Sequence, residues 1–132
     1  MAVDAQGLAA ALDDLAEKTQ QRHGIRCTFT GDPAVVVSDH IMATHLFRIA
    51  QEATANAVRH GKAKKIALSL KGSDHELVLR VSNDGNPFTL DANADSGLGL
   101  RSMRYRASLI GGTMDIQTGT DGMTDVTCSL KR

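Results

Sequence analysis

The stretch from residue 46 to residue 60 reads LFRIAQEATANAVRH. Its apolar residues recur at the three- and four-residue spacing of a helix that buries one face. We predict a helix over about residues 39–60, with Ser38 as its N-cap and Gly61 as a left-handed C-cap. The rest of the fold is placed around this helix.

Three polar residues follow one another at four-residue spacing in this helix: Glu52, Asn56 and His60. Because a helix turns by about 100° per residue, Glu52 and Asn56 lie beside the apolar stripe, at the edge of the core. A Glu there can accept a proton, and an Asn oxygen is a suitable Mg²⁺ ligand. The same pattern fits a helix whose polar side faces water, so the spacing alone leaves a site and a solvated surface open.

The segments around this helix have simpler patterns. Amphipathic helices are predicted near residues 8–23 and 100–110. Alternating apolar residues predict strands near residues 25–29, 66–70, 77–81, 114–118 and 124–130, and a short extended piece near 35–37. This order predicts a single α/β domain over residues 1–132, a two-layer sandwich in which about three helices cover one face of a mixed, mostly antiparallel sheet.

Composition narrows the class of protein. The chain is 42% apolar, and its 15 basic side chains balance 15 acidic ones. No global charge attracts nucleic acid or an anionic membrane, and few aromatic residues are available to stack on bases. Cys27 and Cys128 lack the paired spacing of a zinc site, which predicts reduced core thiols. With no long apolar run and no secretory signal, we expect a cytoplasmic domain without direct membrane contact.

A loop rich in small and polar residues follows the predicted hairpin. Residues 83–96 have few apolar anchors, which predicts a long, mobile and functional loop. A helix then opens at Gly97-Leu98-Gly99-Leu100, where backbone N–H groups can cradle phosphate oxygens. Each piece also has an ordinary explanation, since Asn-Asp-Gly is a common turn and Gly-x-Gly is common in loops.

The order of these pieces carries a family resemblance. Three motifs follow one another along the chain: Gln51-Glu52-Ala53-x-x-Asn56-Ala57-x-x-His60, Asn83-Asp84-Gly85 and Gly97-Leu98-Gly99-Leu100. Together they closely resemble the histidine-kinase members of the gyrase, Hsp90, histidine kinase and MutL ATPase superfamily. Segments 46–53 and 101–107 look specifically like the subfamily whose response regulators carry a helix-turn-helix output domain. The resemblance covers nearly the whole chain and implies a Bergerat-type ATPase fold.

The resemblance implies that ATP and Mg²⁺ are the cofactors. Asn56 would then ligate the Mg²⁺ that bridges the triphosphate, and Glu52 would polarise or orient the incoming nucleophile. Asn83 matches the position that reads the adenine amino group. The other nucleotide contacts that the resemblance implies are His60, Lys64, Asp84, Gly85, Gly97, Leu98, Gly99, Leu100 and Arg101.

Two residues depart from the family pattern. Asn83 stands where an aspartate is usual, although its carboxamide oxygen can still accept from the adenine amino group, which predicts retained specificity at lower affinity. Pro87 stands where a second glycine is usual, which predicts altered mobility of the ATP lid without loss of binding. We expect residues 86–96 of this lid to become ordered when nucleotide binds.

Kinases of this type phosphorylate a histidine on a helical hairpin that precedes the ATPase domain. Residues 1–24 resemble only the end of that connection. We therefore expect the γ-phosphoryl to pass to an upstream histidine in the intact kinase, for two-component signalling through a response regulator. The chain by itself should be a monomer that binds Mg-ATP with little or no turnover. Whether the parent kinase is anchored in a membrane stays open.

Two other functions share this fold and stay open. One is an anti-sigma-factor serine kinase, a stand-alone domain of similar length, against which the subfamily-like segments argue. The other is a degenerate interaction module that binds ATP poorly or not at all, which Asn83 and Pro87 motivate.

Overall fold

Three helices and five strands lie within the part of the chain that the computed structural model describes, namely residues 7–32, 35, 37, 39–86, 99–119 and 121–131. The helices are α1 (Leu8–His23), α2 (His40–Arg59) and α3 (Leu100–Leu109). The strands are β1 (Arg26–Gly31), β2 (Lys65–Gly72), β3 (Glu76–Asn83), β4 (Gly112–Thr118) and β5 (Thr124–Lys131). The predicted helices and strands are confirmed, but residues 35 and 37 belong to no strand.

The five strands form one sheet in the order β1-β2-β3-β5-β4. β1 runs parallel to β2, with Cys27 opposite Ile66, and the remaining neighbours are antiparallel, with Leu79 of β3 opposite Cys128 of β5. Alternate residues of β2, β3 and β5 are buried, so these strands present one apolar face. The predicted mixed, mostly antiparallel sheet is confirmed.

The helices cover that apolar face. Leu12 of α1, Ile49 of α2 and Met103 of α3 are each at most 1% exposed and belong to one core cluster with the strand residues. Burial raises the pKa of the Cys27 and Cys128 thiols to about 11, and neither forms a disulfide. The described part of the chain contains no helix long and apolar enough to cross a membrane.

Both ends of α2 differ from the prediction. The N-cap is Asp39, whose carboxylate accepts two N–H groups of the first turn at 2.9 and 3.2 Å, and the predicted cap Ser38 lies outside the described residues. Lys62, with φ 53°, takes the left-handed conformation expected of Gly61. Gly61 is needed for close packing instead, because a Cβ there would lie 2.9 Å from the carbonyl oxygen of Ala57.

Candidate nucleotide site

Parts of all three motifs meet along the second half of α2. A Cβ on Gly99 would lie 2.3 Å from Oε1 of Glu52, which shows how closely the start of α3 approaches that side chain. At the end of α2, a Cβ on Gly61 would lie 3.4 Å from Oδ1 of Asn83, and one on Gly85 would lie 2.3 Å from the oxygen of Gly61. The fold therefore brings motifs that are far apart in the chain to one side of one helix.

Asn56 lies deeper than the sequence pattern predicts. It is 0% exposed, whereas the helical spacing placed it at the edge of the core and facing a cleft. Glu52 does lie at the edge, with its side chain 37% exposed and its Oε1 3.9 Å from Nη2 of Arg59. That long, exposed ion pair contributes little to stability. Asn56 is therefore enclosed by the protein, whereas Glu52 reaches the surface.

Asn83 has an orientation that its sequence position does not reveal. It is 1% exposed, and its Oδ1 accepts the backbone N–H of Gly85 at 2.9 Å. Its buried Nδ2 has no hydrogen-bond partner among the described residues. The amide oxygen keeps a second lone pair, so its predicted contact with the adenine amino group stays a prediction.

Asp84 stabilises the turn that follows β3. Its Oδ1 accepts the backbone N–H groups of Lys64 and Lys65 at 2.8 and 2.9 Å. These backbone hydrogen bonds hold the pKa of the Asp84 carboxyl below its ordinary value of 3.8. The carboxylate thus ties the end of β3 to the start of β2, and its predicted contact with nucleotide stays a prediction.

Gly61 and Gly85 form a contact that the sequence analysis missed. The backbone N–H of Asn86 donates to the carbonyl oxygen of Gly61 at 2.6 Å, directly beside Gly85. Neither glycine leaves room for a side chain at this contact. The sequence predicted Gly61 to be a helix cap and Gly85 to be a nucleotide contact, because neither glycine carries a local sign of its partner.

The remaining predicted contacts lie in different surroundings. His60, Lys64 and Arg101 are exposed, so their side chains place positive or titratable groups at the surface. Leu100 is 0% exposed and anchors the first turn of α3 in the core, while Gly99 begins that helix with φ 65°. Pro87, Gly97, Leu98 and the predicted lid as far as residue 96 lie outside the described residues.

Comparison with known protein families places the chain in a family. The family model described as histidine kinase-, DNA gyrase B-, and HSP90-like ATPase matches residues 42–132, which include every predicted site residue. The chain belongs to this family. The resemblance inferred from the three motifs is thereby confirmed, and the chain is a histidine-kinase-type ATPase domain.

Individual relatives agree with this assignment. The ATPase domain is 39% identical over 82 residues to the sensor protein VraS of Staphylococcus saprophyticus, a match that covers 62% of this chain and 24% of the relative. The sensor protein VraS of Staphylococcus aureus gives the same identity and coverage. The match therefore spans about a quarter of the length of these relatives.

Solved structures support the fold. The ATP-binding domain of PrrB from Mycobacterium tuberculosis aligns with a TM-score of 0.71 and 21% identity, over 99% of this chain and 96% of that one. The Acinetobacter baumannii histidine kinase AdeS aligns with a TM-score of 0.74 and 13% identity, over 99% of this chain and 66% of that one. The predicted Bergerat-type architecture is confirmed.

The side chains of the ATPase domain suit the ligands that its family implies. Asn56 and Glu52 carry the oxygen donors that Mg²⁺ prefers. Exposed His60 and Lys64 follow at the end of α2, where positive groups suit phosphate oxygens. The buried, unsatisfied Nδ2 of Asn83 is a donor that a ring nitrogen of adenine can satisfy. The residues present therefore fit Mg-ATP.

Proposed function

We propose that this ATPase domain binds Mg-ATP through the residues that surround the second half of α2 and, in the intact kinase, positions the γ-phosphoryl for transfer to a histidine on an upstream hairpin. The observation that carries the proposal is the packing of Gly99 against Glu52 and of Gly85 against Gly61. These contacts bring the three motifs together in one place. Motifs with separate structural roles would not need a common location.

Each residue has a defined task in this proposal. Mg²⁺, when bound, neutralises charge on the triphosphate, and Asn56 is the residue that would hold it. Glu52 is partly exposed beside Gly99 and is available to orient the incoming imidazole or accept its proton. His60 and Lys64 contact phosphates, and Asn83 contacts the base. The response regulator would meet the upstream hairpin, and the chain by itself would be monomeric.

Phosphotransfer can be tested with the chain extended upstream through its hairpin. Incubation with γ-labelled ATP and Mg²⁺ should place an acid-labile, alkali-stable phosphate on a histidine. Glu52→Gln should slow this labelling about 10²-fold or more while ATP affinity stays within about twofold, because the variant loses only a proton acceptor. Labelling that is equally fast in this variant would contradict the role of Glu52.

One observation favours a second function, a non-catalytic interaction module. Asn83 carries a buried, unsatisfied amide donor at the position where the family usually has a carboxylate. Such a module would bind Mg-ATP only at millimolar concentrations or not at all, and so would its Asn83→Asp variant. A serine kinase would instead give an alkali-labile phosphoserine. The sensor proteins among the relatives support the histidine kinase.

A further inference from the structure

A groove of about 340 Å³ separates α1 from α2. The α2 residues that line it share one face of the helix and are Phe47, Arg48, Gln51, Thr54, Ala55 and Val58. At about 100° per residue, this face points roughly 135° away from the face that carries Glu52 and Asn56. The groove is therefore a feature separate from the candidate nucleotide site.

The groove carries an excess of positive charge. Lys18 pairs with Asp14 at 3.0 Å, which neutralises one lysine. Arg22 and Arg48 also line the groove, and neither forms an ion pair with a carboxylate in the described part of the chain. Arg48 donates only to the neutral Oε1 of Gln51 at 3.0 Å. Two guanidinium groups thus remain available to an anion.

A buried hydroxyl among the lining residues lacks a partner. Thr54 is 2% exposed, and its Oγ1 forms no hydrogen bond with any described residue. Thr19, the other threonine that lines the groove, donates to the carbonyl oxygen of Leu15 at 2.7 Å. An unsatisfied buried hydroxyl is costly unless a ligand or a water molecule completes it. Less than 1 Å² of this oxygen is accessible, so the Thr54 hydroxyl lies beneath the surface of the groove.

Apolar side chains complete the lining, in particular Leu15, Phe47 and Val58. We infer that the groove between α1 and α2 binds a small organic anion that carries a carboxylate or phosphate group on an apolar body. Arg22 and Arg48 would bind the anionic group, and the apolar walls would cover the rest. The inference does not depend on the proposed kinase function, because none of these residues belongs to the three motifs.

Phenyl phosphate is a suitable probe, with phenol and inorganic phosphate as its two separate halves. Titrated into the full chain, phenyl phosphate should shift the backbone amide resonances of Arg22, Arg48 and Thr54 in a saturable way. Its affinity should exceed that of phenol or inorganic phosphate at least about tenfold, because only phenyl phosphate contacts both the arginines and the apolar side chains of the groove. Anionic vesicles of phosphatidylglycerol should compete with it if the natural ligand is a lipid headgroup, and should leave it bound if the ligand is a free anion.

Substitutions in the groove test the same inference. Arg22→Gln and Arg48→Gln should each weaken phenyl phosphate binding about fivefold or more. Thr54→Val should leave the affinity within about twofold, because the hydroxyl is closed to the groove, while the melting temperature stays equal or rises because the unsatisfied hydroxyl is gone. Lys71→Gln removes one positive charge from the exposed end of β2 and should change the affinity less than twofold.

Three results would overturn the inference. The groove resonances would not respond to phenyl phosphate, or the response would centre on the turn at Asn83, or binding would survive both arginine substitutions unchanged. Each of these results is distinct from a failure to bind Mg-ATP.

Discussion

Asn83 combines a satisfied acceptor and an unsatisfied donor in one buried side chain. The acceptor holds Gly85, so the turn keeps its shape without any ligand. The donor is suited to a ring nitrogen of adenine and not to its amino group. Asparagine in place of the family's usual aspartate therefore adds a donor to this position, while its oxygen keeps one lone pair for a further hydrogen bond.

Asn83→Asp should strengthen ATP binding about tenfold, because one carboxylate oxygen can keep the bond to Gly85 while the other accepts from the adenine amino group. The nucleotide-free variant should be less stable than the wild type, since it buries a charge. Calorimetric titration and thermal unfolding measure the two effects. Gln117→Glu adds the same charge to an exposed residue of β4, away from the candidate site, and should leave ATP affinity unchanged. Lower stability without any gain in affinity would contradict this account of Asn83.

Asp84 should make the stability of the fold depend on pH in acid. Its pKa in the folded chain is lowered from 3.8, so its contribution is fully present above that value and is lost as the pH falls through the folded pKa. Asp84→Asn should therefore unfold with a shallower pH dependence below about pH 4. Denaturant titrations across this range measure the slope, with the surface substitution Asp74→Asn as the control. Identical slopes in wild type and Asp84→Asn would exclude the role of this carboxylate.

The end of α2 and the turn after β3 can pack closely because Gly61 and Gly85 have no side chains. A Cβ at Gly85 would meet backbone atoms of Gly61, which cannot move without shifting the helix end. The hydrogen bond from Asn86 to Gly61 lies at the same place. This contact positions Asn83 relative to Asn56 and so shapes the candidate site.

Gly85→Ala should separate this turn from α2 and destabilise the fold. The expected loss is about 1 to 3 kcal/mol, the range typical of an overpacked contact. Gly122→Ala is the matched control, because Gly122 has φ 82° but open space around its Cβ position, so only backbone strain is added there. ATP binding should weaken in the Gly85 variant and persist in the control. If both variants bind ATP equally well, the contact does not shape the site.

The pairing of α2 with α3 also depends on contacts between residues that are far apart in the sequence. Glu52 lies against Gly99, and Nδ1 of His45 lies 3.2 Å from Nη1 of Arg106, so the two helices run antiparallel. Periodicity predicted each helix because the signal lies within about four residues. It could not predict their pairing, since neither contact has a local signature.

For the molecule as a whole, the sequence predicts the helices, the strands and the order of the motifs better than it predicts how deeply a side chain is buried. The strands, the helices and the three motifs all depend on neighbours along the chain. The burial of Asn56, the bonds from Asp84 to Lys64 and Lys65, and the orientation of Asn83 depend on segments that meet only after folding. The groove at Thr54 was missed for the same reason, because it needs α1 and α2 in place.

The proposed binding of Mg-ATP with Asn56 as the metal ligand predicts a specific dependence on Mg²⁺. Calorimetric titration of the wild type and Asn56→Ala with ATP, once with Mg²⁺ and once with a chelator, tests it most directly. Circular dichroism and cooperative unfolding should show that both proteins are folded. The chelator should weaken ATP binding to the wild type about tenfold or more and should have little effect on ATP binding to the variant. Equal Mg²⁺ dependence in the two proteins, or no binding by the wild type, would contradict it.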